Sequence, residues 1–359
     1  MTARVLTRSD VIVLAGGALA VVAAGVAHYA HASAVLAFVV AALAVALLAS
    51  LVGRSVEQLG DRFGPGATGV LQSALGNLPE LFIGFFALKA GLVAVVQAAI
   101  IGSILSNILL VLGLAFLVGG LRHGVQRFSS DRARTSTVLM VLATAALVMP
   151  SLAQYVHSPA APHERALSLI VSAVLLGVFL LSLPSALQRT PPVDGAVQTT
   201  QVAAEGPRWP LWLAVTLLAA ASVTAALVSD WFVAALEPAI DALGMSQAFA
   251  GLVIVAIAGN AIENVVGIQL AYRNAADFAM SVIVQSPLQI ALVLAPALVL
   301  LSLFTATTLT LVFAPLLVMA VAVAVIAVAF IVIDGESTWL EGATLIALYA
   351  IIATTFWWG

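Results

Sequence analysis

Gly76-Asn77-Leu78-Pro79-Glu80 and its echo, Gly259-Asn260-Ala261-Ile262-Glu263, each set a carboxylate inside a long apolar run, with an amide three residues earlier. A carboxylate in lipid is costly, so such a residue reads as part of an ion or proton site. The two glutamates stand 183 positions apart, and the likeness continues at that offset. Gly102-Ser103-Ile104-Leu105-Ser106 falls on Gln285-Ser286-Pro287-Leu288-Gln289. One structural unit is used twice.

The runs around these motifs decide the class. Of 359 residues, 63% are hydrophobic and 8% charged, whereas a soluble domain carries about 25% charged residues. Apolar windows repeatedly exceed the roughly 20 residues that span a bilayer as helix. They are continuous rather than alternating ten-residue segments, which excludes a β-barrel. The chain therefore reads as an all-α polytopic membrane protein with the lipid bilayer as its solvent. Zero cysteines remove disulfides and thiolate metal sites, and the net charge of −3, with no basic patch, gives nothing for nucleic acid to bind. The first apolar run, near Val11, lacks a small-residue cleavage signal and reads as a retained helix.

About eleven transmembrane helices are expected, at 11–28, 33–53, 67–90, 92–119, 133–151, 165–186, 209–230, 247–272, 275–303, 307–333 and 338–358. The second and seventh run on as amphipathic helix to Gly60 and Gly244. Gln188–Arg208 is polar and rich in Pro and Gly, the composition of a linker. The chain thus divides into a leading helix (1–30), a five-helix repeat (31–187), a cytoplasmic linker (188–208) and a second five-helix repeat (209–359). With the N-terminus inside, eleven of the thirteen Arg and Lys fall on cytoplasmic ends, leaving Lys89 and Arg165 outside. The positive-inside rule then puts the C-terminus outside. Five helices per repeat is an odd number, so the second repeat enters the membrane from the opposite side. The spans of Glu80 and Glu263 run antiparallel, and a pseudo-two-fold axis brings them together at the bilayer midplane.

Asn77 and Glu80 share a helix face, as do Asn260 and Glu263; Ser103 and Ser106, and Ser286 and Gln289, repeat that three-residue spacing on the helices that follow. Four polar faces of oxygen ligands suit a hard cation such as Ca²⁺. Pro79 and Pro287 deprive the carbonyls of Leu75 and Ile283 of their helical donors, and Gly76 and Gly259 weaken the helix nearby. Broken helices of this kind supply backbone oxygens to midplane cations. Against these readings, Ser103, Ser106 and Asn107 also fit ordinary helix–helix hydrogen bonding, and a single buried Glu fits a protonated structural group. Asp230, Glu237 and Asp241 recur near one face of the seventh span, as a solvated end or the wall of an aqueous entry. Asp334, Glu336 and Glu341 flank the last loop, with a surface position expected.

At these residues the sequence resembles the cation/proton exchanger (CAX) family of the calcium/cation antiporter superfamily. The matching stretches are GNLPELFIGFFALKAGLVAVVQAAIIGSILSNILLVLGLAFLVGG (Gly76–Gly120), GLVIVAIAGNAIENVVGIQLAYRNAADFAMSVIVQSPLQIALVLAP (Gly251–Pro296) and DGESTWLEG (Asp334–Gly342). The resemblance implies a sodium/calcium exchanger-like fold and exchange of Ca²⁺ or a related cation for H⁺, with no cofactor. It implicates Glu80 and Glu263 as cation ligands, followed by Asn77, Asn260, Gln97, Ser103, Ser106, Ser286 and Gln289. The chain departs from the family pattern at Asn264, where His is frequent, at Gln285 and Pro287, and in a linker whose only acids are Asp194 and Glu205.

The expected mechanism is alternating access around one site, in the plasma (inner) membrane. Cation binding needs both glutamates ionised, and the return step carries them protonated. Na⁺-coupled Ca²⁺ exchange and Na⁺(K⁺)/H⁺ exchange on the same scaffold are the alternatives, with a cation channel further off because the repeat is internal. An intramembrane hydrolase stands further off still, with no HExxH, no Cys and no GxSxG in the chain. Oligomeric state is not legible.

Overall fold

The computed structural model describes residues 6–63, 71–72, 75–187 and 208–358, so the linker, apart from Arg208, lies outside the described residues. In lipid every backbone N–H and C=O must be satisfied within the segment, which makes these apolar runs helices. In chain order they are α1 (Arg8–Tyr29), α2 (Ala34–Phe63), α3 (Leu78–Lys89), α4 (Val93–His123), α5 (Ser130–Tyr155), α6 (Glu164–Leu187) and α7 (Leu211–Leu243). Then follow α8 (Gln247–Gly259), α9 (Ala261–Tyr272), α10 (Ala276–Phe304), α11 (Pro315–Ile331) and α12 (Trp339–Trp357). Eight of these described helices are long and apolar enough to cross a membrane, and α8 with the end of α9 makes a ninth span bent by 63°. A helix stands at each of the eleven expected spans. In the third, helix α3 begins at Leu78, and residues 64–70 and 73–74 lie outside the described residues.

Local sequence sets the helix ends. Thr7 and Asp10 form a capping box at the start of α1, and Thr338 with Glu341 repeats it at α12. Gly244, at φ 62°, ends α7 where expected. Pro79 stands in the first turn of α3, just past the break at Gly76–Asn77, where its missing N–H costs nothing. One expectation needs correction. The tenth span was expected from residue 307, but its helix starts at Pro315, and residues 305–314 are non-helical. Side chains satisfy the backbone of that stretch. Gln97 donates to the carbonyls of Thr310 and Val312, Ser151 to that of Leu311 and Tyr155 to that of Phe313, while Ser168 and Ser151 accept from the N–H groups of Leu311 and Phe313.

The two repeats are visible in the packing. α2 lies against its mate α7, and α5 against its mate α11. α3 packs on α7 and α10 just as α9 packs on α2 and α4. The π-helical turn Ser106–Val111 in α4 is matched by Ile290–Leu294 in α10. Such turns mark functional places in helices more often than chance. At the centre α4 and α8 meet backbone to backbone. A Cβ on Gly102 would lie 2.3 Å from the Leu252 carbonyl oxygen, and one on Gly251 equally close to that of Val95.

At one end the loops after α4, α9 and α11 join. β1 (Gln126–Arg127) pairs antiparallel with β2 (Glu336–Ser337), Arg127 and Glu336 form an ion pair at 3.0 Å, and His123 reaches the Tyr272 carbonyl. These are loops expected on one side of the membrane. A second cluster ties α2 to its neighbours: Arg54 pairs with Asp10 at 2.8 Å, and Gln58 and Arg62 hold the backbone at Arg208 and Trp209.

Candidate cation site

Both motif helices break at the asparagine, and in the same way. Asn77 sits at φ −91°, ψ 16° and Asn260 at φ −92°, ψ 20°. Each is the N-cap residue of the helix that follows, yet neither side chain caps it. Both amides point elsewhere, into the space between the repeats.

Asn260 is the hub there. Its Nδ2 donates to Glu80 Oε1, to Ser103 Oγ at 3.1 Å and to the Ala256 carbonyl at 2.9 Å. Its Oδ1 accepts from Asn107 Nδ2 at 3.2 Å and from Ser286 Oγ at 3.3 Å. Glu80 Oε1 also accepts from Ser103 Oγ at 2.7 Å. On the other half, Asn77 Nδ2 faces Gln289 Oε1 at 3.4 Å. All of these side chains are buried.

Gly259 lets Glu80 in. A Cβ there would lie 2.2 Å from Glu80 Cγ, so the carboxylate of one repeat rests on the bare backbone of the other repeat's broken helix. Gly76 has a different neighbour: its N–H donates to the Gln72 carbonyl at 2.8 Å.

The structure thus gathers Glu80, Asn260, Ser103 and Ser286 in one network, with Asn77 and Gln289 paired beside each other. Asn107, which the sequence suggests as a packing residue, joins the network. The signal for it was its four-residue spacing from Ser103, whose carbonyl it also bonds at 2.9 Å. Ser106 is buried but bonds the Ser103 carbonyl of its own helix. Gln97 is engaged with residues 310–312 instead. Glu263 occupies the first turn of α9, and its side chain lies outside the described residues. Asp230, Glu237 and Asp241 are exposed along α7, and Glu341 serves as the cap of α12.

A family model described as sodium/calcium exchanger protein matches residues 33–186 and 213–358. The chain is 35% identical over 334 residues to a Ca²⁺/H⁺ antiporter of Synechocystis sp., covering 89% of this chain and 90% of the relative. It is 37% identical over 322 residues to the Ca²⁺/H⁺ antiporter ChaA of Bacillus subtilis, covering 89% and 91%. Among solved structures, native YfkE superposes with a TM-score of 0.82 at 33% identity, over 96% of this chain and 99% of that one.

Proposed function

Because the chain belongs to the sodium/calcium exchanger protein family, we propose that it is a secondary antiporter exchanging Ca²⁺ for H⁺ across a plasma membrane. The observation that carries this reading is the buried bond between repeats, Asn260 to Glu80, inside a set of hydroxyl, amide and carboxylate groups. Such oxygens suit a hard cation. In this reading Glu80 and Glu263 hold Ca²⁺ as carboxylates, while Asn77, Asn260, Ser103, Ser106, Ser286 and Gln289 complete or orient the shell. The similar proteins of Synechocystis sp. and Bacillus subtilis are Ca²⁺/H⁺ antiporters, which supports it.

Coupling follows from competition for the same oxygens. Two carboxylates offset the dehydration of a divalent ion, which neutral dipoles alone do poorly. Once Ca²⁺ has left, protonation neutralises the pair, and a neutral pair crosses the low-dielectric barrier at less cost than an empty charged one. An empty charged site therefore stays where it is, and the fluxes are linked. α2 and α7 pack on each other and on the site helices α9 and α3. Sliding of these two across the core would open the site to one side and then to the other. With the N-terminus cytoplasmic, the C-terminus outside and the proton gradient directed inward, Ca²⁺ leaves the cytoplasm.

The test is ⁴⁵Ca²⁺ uptake into proteoliposomes with an imposed pH gradient and no Na⁺ or K⁺. Uptake driven by the pH gradient and saturating with Ca²⁺ is expected. Uptake driven only by a Na⁺ gradient would replace the coupling ion, and non-saturating flux would replace the exchanger with a channel.

A further inference from the structure

Helices α3 and α9 carry the two glutamates, and their far ends are built alike. Gly91 and Asn274, equivalent positions, both adopt positive φ, 83° and 60°. Their N–H groups both donate at 3.0 Å to the carbonyl three residues back, Leu88 in one repeat and Ala271 in the other. Leu88 and Ala271 are themselves equivalent, each eight residues beyond its glutamate. The last carbonyls of a helix lack intrahelical donors, and each of these two receives a side chain from the opposite repeat. Thr307 Oγ1, from the stretch after α10, donates to Leu88 O at 2.6 Å. Gln126 Nε2, from the loop after α4, donates to Ala271 O at 3.0 Å and to Asn274 Oδ1 at 3.1 Å.

Both donors are held. Thr305 Oγ1 donates to the Thr307 carbonyl at 2.7 Å, and Gln97 pins the same stretch further on. Gln126 belongs to β1 and is buried in a notch of α4, where a Cβ on Gly119 would lie 1.8 Å from its Oε1. Different side chains meet the same constraint at the two ends of the molecule.

We propose that Thr307 and Gln126 are crossed latches, positioning residues that fix α3 and α9 along their axes and so set the depth of Glu80 and Glu263. This inference rests on the cation-exchange reading of those glutamates. A helix rises about 1.5 Å per residue and transmits an axial shift along its length. A slip at Leu88 therefore appears at Glu80, some 12 Å away, where the 2.7 Å bond from Ser103 allows little movement. Gln97 is a positioning residue of the same kind, acting one step back through the 305–314 stretch.

The experiment compares Thr307→Val, which keeps the shape and loses the hydroxyl, with Thr307→Ser, which keeps the hydroxyl; Gln126→Met probes the other latch. In proteoliposomes the half-saturating Ca²⁺ concentration should rise about fivefold in Thr307→Val and Gln126→Met, as expected for one hydrogen bond within a membrane protein. The maximal rate should stay within about twofold, and Thr307→Ser should match the wild type. Hydrogen exchange of the amides of residues 78–88 should quicken in Thr307→Val alone of the Thr307 pair. Unchanged half-saturation in both latch variants, a fall in maximal rate alone, or a Thr307→Ser that behaves like Thr307→Val would each overturn the proposal. If Thr307→Val loses its fold, Thr307→Ala must show the same rise, and wild-type half-saturation there would overturn it. Absence of saturable Ca²⁺ uptake in the wild type would instead overturn the exchange reading, and the hydrogen-exchange comparison would still decide the latch.

Discussion

Glu80→Gln is expected to abolish Ca²⁺ uptake, with a fall of more than about a hundredfold. Gln has nearly the size of Glu and can still accept from Ser103 and Asn260, so the change removes charge more than shape. What remains around the ion in this reading is one carboxylate, Glu263, and the neutral dipoles of Ser103, Asn260, Ser286 and Asn107, already bonded to each other. Removing one partner of a buried charge pair costs about 3–5 kcal/mol, which is roughly 150- to 5,000-fold in affinity. Glu263→Gln should fall as far, because the repeat gives it the mirror position. ⁴⁵Ca²⁺ uptake at matched protein density checks both. Glu80→Gln retaining a tenth or more of wild-type uptake would remove Glu80 from the cation's shell.

Gly259→Ala is expected to act on the same carboxylate by shape alone. The added Cβ would stand 2.2 Å from Glu80 Cγ, a distance that non-bonded atoms do not share, and 3.0 Å from its Oε1. Glu80 has to move away, and the bonds from Ser103 and Asn260 go with it. Displacement of a reacting group by about 1 Å can cost on the order of a hundredfold. Uptake should therefore drop by about that factor, with the helical content unchanged by circular dichroism. Gly177→Ala is the control: nothing lies within 4 Å of a Cβ there, so uptake should be that of the wild type. Equal uptake in the two alanine variants would show that Glu80 does not need the bare backbone at Gly259.

The parts of this molecule that could be read from the chain were those where chemistry stands out against its surroundings. Glu80 and Asn77 are conspicuous in an apolar run, and their recurrence at Glu263 and Asn260 is a pattern that needs no contacts to be seen. The break of both helices at the asparagine follows from the Gly-Asn pair. Other parts depended on partners distant in sequence. The stretch from Thr307 to Phe313 carries no charge and runs into a long apolar segment, so it reads as the start of the tenth span. Its extended course depends on Gln97, Ser151 and Ser168, more than 140 residues away. Gln97 is a cation ligand only by the resemblance; its Nε2 donates to the carbonyls of Thr310 and Val312, partners the sequence could not show. Asn107 does make the helix–helix hydrogen bond that the sequence allowed, but its partner, Asn260, lies 153 positions away in the other repeat and could not be named from the chain.

The central claim is that the same buried carboxylates hold either Ca²⁺ or protons. The measurement that addresses it most directly is proton release on Ca²⁺ binding to the purified protein, followed with a pH indicator in weak buffer from about pH 5 to about pH 9. Protonated carboxylates cannot ligate the ion, so affinity should fall as pH falls, by up to about a hundredfold per pH unit where two protons are displaced. In that range each Ca²⁺ bound should release protons from the wild type, and the Glu80→Gln, Glu263→Gln double variant should release none. Ca²⁺ binding with constant affinity and no proton release across the whole range would contradict the account.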